Sequence, residues 1–328
     1  MKVLFIGGTG VISSACSKLA IEKGIDLYHL NRGQTTRTVL KGVKQLRGDI
    51  RDFQSMQSLL KDTLFDVVVN WIVYTPEQLE TDLKLFSGHT GQYIFISTAS
   101  AYQTPPAYLP VTESTSLNNP FWTYSQQKIA CEDRLVHAFR EENFPMTIVR
   151  PSHTYDQTIL PVSGGYTTVN RMRQNKKVIV HGDGTSLWTL THHADFAVGF
   201  VGLLGHPAAI GEAIHITSDE ALTWNQIYTI VANAAGVEKP DLLHVPSDII
   251  NRFDEEWGAG LLGDKQHSMI FDNTKIKRLV PEFVATIPFH QGVHEIIEWY
   301  DADPARRVID EKLDQTMDKI VEAFSKIL

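Results

Sequence analysis

The sequence predicts an α/β protein whose core is a doubly wound parallel sheet, followed by a smaller C-terminal α/β lobe. Three observations favour this fold. Short β-branched runs alternate with amphipathic helical patterns through the first half of the 328 residues, as in parallel sheets that helices cover on both faces. A glycine-rich turn follows the first of these runs. After Pro151 the alternation gives way to loops that contain glycine and proline.

The elements are predicted from apolar runs for strands and from apolar residues at helical spacing for helices. In the sheet, the predicted strands cover 2–6, 26–30, 44–46, 67–71, 93–97 and 146–150. The predicted helices between them cover 14–23, 53–61, 76–87 and 125–142. After Pro151, strands are predicted at 178–181 and 213–217 and helices at 224–234 and 292–300. The stretch 304–328, which is rich in charged residues, has the pattern of one amphipathic helix.

The most informative stretch is the opening one, KVLFIGGTGVIS at 2–13. A strand, a glycine turn and a helix in this order place a dinucleotide pyrophosphate at a helix N-terminus. Gly7 permits the turn, and Gly10 has no Cβ to block the approach of phosphate to the backbone. Ser13 stands where a third glycine is usual, which weakens the motif although a small residue can still pack there.

The end of the second predicted strand favours NADP over NAD. Folds selective for NAD usually place an acidic residue there to bind the ribose 2′-hydroxyl. Here Asn31 and Arg32 follow the strand, and Arg32 with Arg37 can meet a 2′-phosphate. After the third strand, Asp49 can reach the adenine edge. The expected cofactor is therefore NAD(P), with NADP slightly favoured and NAD not excluded.

Tyr124 and Lys128 are the candidate catalytic pair. They lie four residues apart in YSQQK, and a predicted helix places both on one face. A tyrosine hydroxyl with a pKa near 10 is a poor base at neutral pH, but a nearby cation can lower that pKa by about one to three units. Proton transfer with an alcohol then becomes practical. Upstream, IFISTASAY at 94–102 ends in hydroxyl side chains at the edge where doubly wound sheets bind substrates.

Together these motifs resemble those of the extended short-chain dehydrogenases/reductases of the nucleotide-sugar epimerase/dehydratase type, which have a Rossmann fold. The resemblance runs from residue 1 to about residue 300, and several motifs occur in the family's order. Besides GGTGVIS and YSQQK, they are TIVRPSHTYD at 147–156, VHGDGTSLWTLTHHADFA at 180–197, GEAIHITSDEALTWNQI at 211–227, FDNTKIKRLVPEF and FHQGVHEIIEWY.

The resemblance implies a role for each matching residue. Tyr124 is the acid/base, Lys128 tunes it and holds the nicotinamide ribose, and Thr98 binds the reacting oxygen. The expected cofactor-binding residues are Gly7, Thr9, Gly10, Val11, Ile12, Asn31, Arg32, Asp49, Ile50, Asn70, Lys128 and Pro151. The chain is then expected to divide into an NAD(P)-binding domain at 1–152, to which segments near 190–217 return, a mostly substrate-binding lobe at 153–300 and a C-terminal helix at 301–328.

Departures from the family narrow the substrate. Dehydratases follow the threonine with acidic residues, and here Ala99 and Ser100 follow it, which disfavours dehydration and decarboxylation. The arginine that binds the diphosphate in many nucleotide-sugar enzymes is Trp188 here, and the asparagine after the arginine–proline strand end is His153. Arginine can donate two parallel hydrogen bonds to a diphosphate, and tryptophan cannot. We expect a free sugar, sugar acid or other polyol-like substrate, bound by Ser100, His153 and Trp188.

Three functions remain open. The leading one is an NAD(P)-dependent epimerase that oxidises a carbinol carbon and returns the hydride to the other face of the keto intermediate. The second is a dehydrogenase or ketoreductase of a small hydroxyl compound, which the Arg32 signal for NADP mildly favours. The third, of another class, is a non-catalytic nucleotide-sensing or RNA-associated Rossmann protein. Retention of Tyr124 and Lys128 speaks against it.

Composition bounds the partners and the compartment. The formal net charge of −8 argues against a nucleic-acid-binding surface. Two cysteines offer no disulfide framework, and no grouping has metal-ligand spacing, so no metal is implied. No apolar run is long enough to cross a membrane. Since the first residues form a predicted core strand, no signal peptide is expected. A cytoplasmic homodimer, pairing through the helices at 76–87 and 125–142, is expected from the resemblance.

Overall fold

A computed structural model describes residues 1–34, 40–61 and 63–326. Within them, seven parallel strands form one sheet in the order β11-β6-β5-β4-β1-β2-β3. The strands are β1 (Lys2–Ile6), β2 (Asp26–Asn31), β3 (Lys44–Arg47), β4 (Phe65–Asn70), β5 (Thr90–Ile96), β6 (Met146–Pro151) and, later in the chain, β11 (Ala213–Ile216). Val3, Leu4 and Phe5 of β1 are fully buried, because helices cover both faces of the sheet. This arrangement confirms the predicted fold class.

The helices that connect these strands are α1 (Val11–Glu22), α2 (Phe53–Leu60), α3 (Pro76–Phe86), α4 (Thr123–Glu142) and α6 (His193–Gly202). α1 packs on α6 across one face, and α3 packs on α4 across the other. The carboxyl ends of the strands therefore meet at one edge, with the N-termini of the helices beside them. All six strands and four helices predicted for the first half form, with ends shifted by up to three residues.

The second lobe is built from short elements. Two-stranded sheets pair β7 with β10, β9 with β12 and β8 with β13. The remaining strands are β7 (His153–Tyr155), β8 (Val178–His181), β9 (Leu187–Trp188), β10 (Leu190–His192), β12 (Leu222–Thr223) and β13 (Leu242–Val245). The helices are α5 (Tyr166–Arg173), α7 (Trp224–Ala234), α8 (Ser247–Phe253), α9 (Glu255–Gly260), α10 (Thr274–Leu279), α11 (Phe289–Asp301) and α12 (Glu311–Ser325), with a π-helical turn at Leu261–Lys265.

The prediction of a single helix over 304–328 is wrong. A short 3₁₀ turn at Pro304–Arg306 precedes α12, and the two are separate. Asp303 accepts a hydrogen bond from the Ala305 amide at 2.9 Å, and Asp310 accepts one from the Leu313 amide at 2.9 Å. Each aspartate therefore caps its own turn, so the backbone restarts a helix instead of continuing one.

A buried carboxyl beneath the sheet gives the fold a pH dependence. Asp82 of α3 accepts hydrogen bonds from the Asn70 amide at 2.6 Å and from the Tyr93 hydroxyl. Burial raises the pKa of Asp82 to about 7, whereas an unfolded aspartate titrates near 4. The folded state binds this proton more tightly than the unfolded state, so protonation of Asp82 stabilises the fold. This contribution to the free energy of unfolding is complete below pH 4 and is lost as pH rises through 7.

We expect the free energy of unfolding of the Asp82→Asn variant to vary less between pH 4 and pH 7 than that of the wild type. The difference should be no more than about 4 kcal/mol, because one pKa unit corresponds to about 1.4 kcal/mol. Urea denaturation at several pH values measures it. Parallel pH profiles for the two proteins would contradict the assignment.

Candidate functional site

The glycine turn after β1 is closed by a serine hydroxyl. Ser13 Oγ accepts a hydrogen bond from the Gly10 amide at 2.7 Å and donates one to the Gly7 carbonyl at 3.1 Å. Gly7 has φ +84°, in the left-handed region that favours glycine. A Cβ on Gly8 would lie 2.4 Å from the buried ring of His29. Ser13 therefore replaces the expected glycine with a side chain that braces the turn.

A groove of about 520 Å³ runs over this turn and the ends of β2 and β3. Its lining includes seven of the residues expected to bind a cofactor: Gly7, Thr9, Gly10, Asn31, Arg32, Asp49 and Ile50. The first amides of α1 have no carbonyl partner within their helix, which suits an anion at this point. The groove fits a dinucleotide on these grounds. Arg37, the other expected phosphate ligand, lies outside the described residues.

A cavity of about 350 Å³ adjoins the ends of β5 and β6. It brings together most of the remaining predicted residues, namely Ile12, Thr98, Ser100, Tyr124, Pro151, His153 and Trp188. Val11, Asn70 and Lys128 do not line either space. The Asn70 side chain instead donates to Asp82 and accepts from the Ile72 amide at 2.9 Å. Asn70 thus holds the loop after β4.

Hydroxyl groups converge on one wall of the cavity. Thr98 and Tyr124 both line this wall, and the Thr98 hydroxyl lies 3.0 Å from the Ser100 hydroxyl. Ser100 Oγ in turn lies 2.7 Å from Ser125 Oγ, which is buried in α4. Thr98 also accepts from the Ser100 amide at 3.2 Å, so the chain turns sharply after β5. The strand end and the start of α4 therefore present two hydroxyls and a phenol to the same space.

Lys128 lies behind this wall and is 2% exposed. Its ammonium donates to the carbonyls of Val73 at 2.5 Å and Ile96 at 2.8 Å. The ammonium is 5.8 Å from the centre of the Tyr124 ring. Burial lowers the pKa of Lys128 to about 8.

The expected lowering of the Tyr124 pKa by Lys128 is wrong in this structure. Burial raises the pKa of Tyr124 to about 12, with smaller increases from Tyr74 and Asp264. The hydrogen bond from Thr98 opposes this rise. Lys128 is directed to backbone carbonyls, so desolvation of the phenolate outweighs its charge.

The two positions where the sequence departs from nucleotide-sugar enzymes contact each other. The Trp188 indole donates to His153 Nδ1 at 3.2 Å. Trp188 is 4% exposed and packs its ring 5.5 Å from that of Trp224, centre to centre. Burial, aided by the charge of Lys265, lowers the pKa of His153 to about 3. His153 is therefore neutral at physiological pH and accepts at Nδ1.

Sequence reasoning missed several lining residues. Trp122, Asp264, Lys265, Met269 and Phe271 reach the cavity from the start of α4 and from the loop between α9 and α10. Apart from Phe271, which begins the FDNTKIKRLVPEF stretch, no motif marks these positions, because residues as distant in the chain as Trp122 and Phe271 meet only in the folded protein. The one indication in the sequence was that apolar and charged residues at 261–271 have neither helical nor strand spacing, as in an irregular segment.

The wall is supported from behind by a buried ion pair. Arg150 of β6 donates to both carboxylate oxygens of Glu132 in α4, at 2.9 Å from Nε and 2.5 Å from Nη2. Ser97 also donates to Glu132 at 2.5 Å. The side chains of Arg150 and Glu132 are 5% and 3% exposed. This pair ties α4, which carries Tyr124, to the ends of β5 and β6.

The described residues offer neither a metal-binding cluster nor a membrane-spanning helix. No group of three or more histidine, cysteine or acidic side chains could hold a metal ion there. No helix in that part of the chain has the length and apolar character needed to cross a membrane.

Comparison with known proteins identifies relatives. The model of the NAD dependent epimerase/dehydratase family matches residues 3–217. The chain is 24% identical to the chloroplast stem-loop binding protein of 41 kDa b of Arabidopsis thaliana, over 74% of this chain and 65% of that one. It is 29% identical to a UDP-glucose 4-epimerase of Lactobacillus helveticus, over 46% of this chain and 51% of that one. The chain thus spans less than two thirds of either relative.

Solved structures share the fold. The UDP-glucose 4-epimerase from Bifidobacterium longum, in complex with NAD+ and UDP, superposes with a TM-score of 0.74. The match covers 93% of this chain and 99% of that one at 18% identity. At this identity the likeness concerns the fold alone.

Proposed function

Since the chain belongs to the NAD-dependent epimerase/dehydratase family of extended short-chain dehydrogenases/reductases, we propose that it is an NAD(P)-dependent epimerase of a sugar or sugar-like hydroxyl compound. The observation that carries this proposal is the convergence of Thr98 and Tyr124 on one cavity wall. The cavity adjoins the carboxyl edge of the sheet, where the glycine turn lies. Both a proton-transfer group and a dinucleotide groove are therefore within reach of one substrate.

In this proposal Tyr124 takes the proton from a substrate hydroxyl and later returns it. Thr98 holds the same oxygen through its hydroxyl. The cofactor, when bound, supplies the acceptor and donor of the hydride. The Lys128 ammonium, 5.8 Å from the centre of the Tyr124 ring, is placed to stabilise negative charge on the phenolate as the proton leaves, although it does not lower the pKa of the resting phenol.

We also propose that the substrate lacks a nucleotide diphosphate. Trp188 and His153 bond to each other at the positions where nucleotide-sugar enzymes carry arginine and asparagine. Neither residue then offers a cation to a diphosphate. A volume of about 350 Å³ is at the lower end of the roughly 300–1,000 Å³ of small-molecule sites.

Arg32 favours a second candidate, a dehydrogenase or ketoreductase that uses NADP. It follows β2 and lines the groove, and β2 ends in Asn31 without a carboxylate. The two candidates differ in what they retain: an epimerase holds its cofactor through turnover, and a dehydrogenase releases it. Mass spectrometry of the dinucleotide released on denaturing the purified protein decides between them. Stoichiometric NAD favours the epimerase, and a protein that instead binds NADPH more tightly than NADH favours the dehydrogenase.

If Arg32 binds a 2′-phosphate, the Arg32→Gln variant should lose its preference for NADPH over NADH. We expect NADPH affinity to fall about 10- to 100-fold, because a charge-assisted bond to phosphate is lost. Arg51, which lines the same groove, provides the matched control as Arg51→Gln. Fluorescence titration with both cofactors measures the ratio. An unchanged ratio in Arg32→Gln would remove the argument for NADP.

A role without catalysis is the alternative from a different class, since the Arabidopsis relative is named as a stem-loop binding protein. The net charge of −8 opposes it, because phosphate contacts supply most of the affinity for RNA. Biological activity that survives Tyr124→Phe would favour this alternative over the enzyme.

A further inference from the structure

Two adjacent charged residues face the cavity next to the proposed catalytic wall. Asp264 and Lys265 lie in the π-helical turn. They are the only charged side chains among the described residues that line this cavity. Lys265 Nζ lies 2.9 Å from Asp264 Oδ2, and the side chains are 22% and 15% exposed. Both groups are therefore accessible from the space that the substrate would occupy.

The Lys265 side chain is not required to hold its own backbone. The Lys265 carbonyl accepts hydrogen bonds from His181 Nε2 at 3.0 Å and from the Trp224 indole at 3.1 Å. These bonds fix the turn whatever the side chain is. The pair opens onto the cavity, so an incoming anion can compete with Asp264 for the ammonium.

Aromatic rings hold the ammonium inside the cavity. Lys265 Nζ is 5.7 Å from the centre of the Trp122 ring and 5.9 Å from that of Trp188. Indole faces attract a cation, and they displace water that would otherwise solvate it. Coulomb attraction to an anion grows as the effective dielectric constant falls.

His153 supplies a second donor at the same place. The Trp188 indole is a donor only, so His153 Nδ1 must accept the bond between them. In the neutral ring the proton is then on Nε2. Trp188 thereby acts as a positioning residue that fixes the tautomer and orientation of His153.

We infer that Lys265 binds a compact anionic group of the substrate, a carboxylate or a phosphate monoester, in place of Asp264, with His153 Nε2–H as second donor. The substrate is accordingly a sugar acid or a sugar phosphate. A nucleotide diphosphate spreads its charge over two phosphate groups, whereas one cation among the described residues lines this cavity. A neutral sugar leaves the Asp264–Lys265 pair in place. This inference rests on the proposed function for its sugar framework.

Calorimetric titration of the whole protein with glucuronate, glucose 6-phosphate, glucose and UDP-glucose tests the inference. We expect at least one of the two compact anions to bind about 10- to 100-fold more tightly than glucose. Comparison of glucuronate with glucose 6-phosphate tells a carboxylate from a phosphate. Lys265→Gln should abolish the preference, Lys265→Arg should retain it, and Asp264→Asn should tighten anion binding. Two adjacent substitutions thus shift affinity in opposite directions, which a loss of folding would not produce.

Equal binding of glucose and both anions would overturn the inference, and so would an anion preference that survives Lys265→Gln or tightest binding of UDP-glucose. A different result would contradict the proposed function. In that case the protein prefers anions through Lys265 but inverts no carbon of any probe that it binds. Conversely, epimerisation of glucose that is insensitive to Lys265→Gln retains the function and rejects the anion site.

Discussion

Replacing Tyr124 by phenylalanine is expected to lower kcat about 10²- to 10⁴-fold, the usual loss when a positioned acid/base is removed. The phenol lines the cavity wall beside Thr98, and the centre of its ring lies 5.8 Å from the Lys128 ammonium. The ring remains to fill the same volume, so cofactor affinity and the unfolding midpoint should change little. Steady-state kinetics on an identified substrate and a cofactor titration measure these quantities.

Tyr74 provides the matched control for this substitution. Its ring lies 6.4 Å from the Tyr124 ring, centre to centre, and 4.7 Å from Lys128 Nζ, so it shares the environment. It is 44% exposed and lines the groove instead of the cavity, and phenylalanine keeps its ring in that groove. Tyr74→Phe should therefore keep kcat within a few-fold of the wild type. Comparable losses in both variants would assign the effect to packing around Lys128 and would contradict the role of Tyr124.

The Glu132→Ala variant is expected to lose about 3–5 kcal/mol of unfolding free energy. The substitution leaves the Arg150 guanidinium, whose side chain is 5% exposed, without its carboxylate partner inside the protein. It also removes the acceptor of the Ser97 hydroxyl. A buried, uncompensated cation is far more costly than the absent bond alone, since the interior cannot solvate it. Urea denaturation followed by circular dichroism measures the loss.

Glu80 on the neighbouring helix offers the comparison at an exposed position. It pairs with Arg134 at 2.5 Å, and its side chain is 41% exposed. Glu80→Ala should cost less than about 1 kcal/mol, as surface pairs do. Similar small values at both sites would show that water reaches Arg150, and the support of the cavity wall would then need another explanation.

The centre of the sheet was predictable because its strands contain uninterrupted apolar runs. Val67, Val68 and Val69 are fully buried in β4, and such burial on both faces leaves a signal within a few residues of sequence. Glycine at 7, 8 and 10 likewise marks a local turn. Both signals arise from residues adjacent in the chain, which is why the element positions and the dinucleotide groove were found together.

The missed features depend on distant partners. Lys265 reaches the cavity only because the π-helical turn packs against Asn119 and Trp122, just before α4, and the sequence around it has no regular period. The Tyr124 pKa also depended on which way Lys128 points, and the carbonyls of Val73 and Ile96 decide that. In the tail, Asp303 and Asp310 did carry a local signal, since aspartate is a preferred helix cap. The regular charge pattern obscured that signal.

The serine inside the glycine turn bears on the entropy of binding. Its two hydrogen bonds, to the Gly10 amide and the Gly7 carbonyl, fix the turn when the chain folds. Ordering a flexible loop during association reduces affinity, whereas a rigid loop has already lost that freedom. A third glycine would match the sequence motif more closely. It has no hydroxyl to bond the Gly10 amide and the Gly7 carbonyl, so the loop would be less ordered. The departure at Ser13 thus gives a preorganised receptor for phosphate, formed before any dinucleotide arrives.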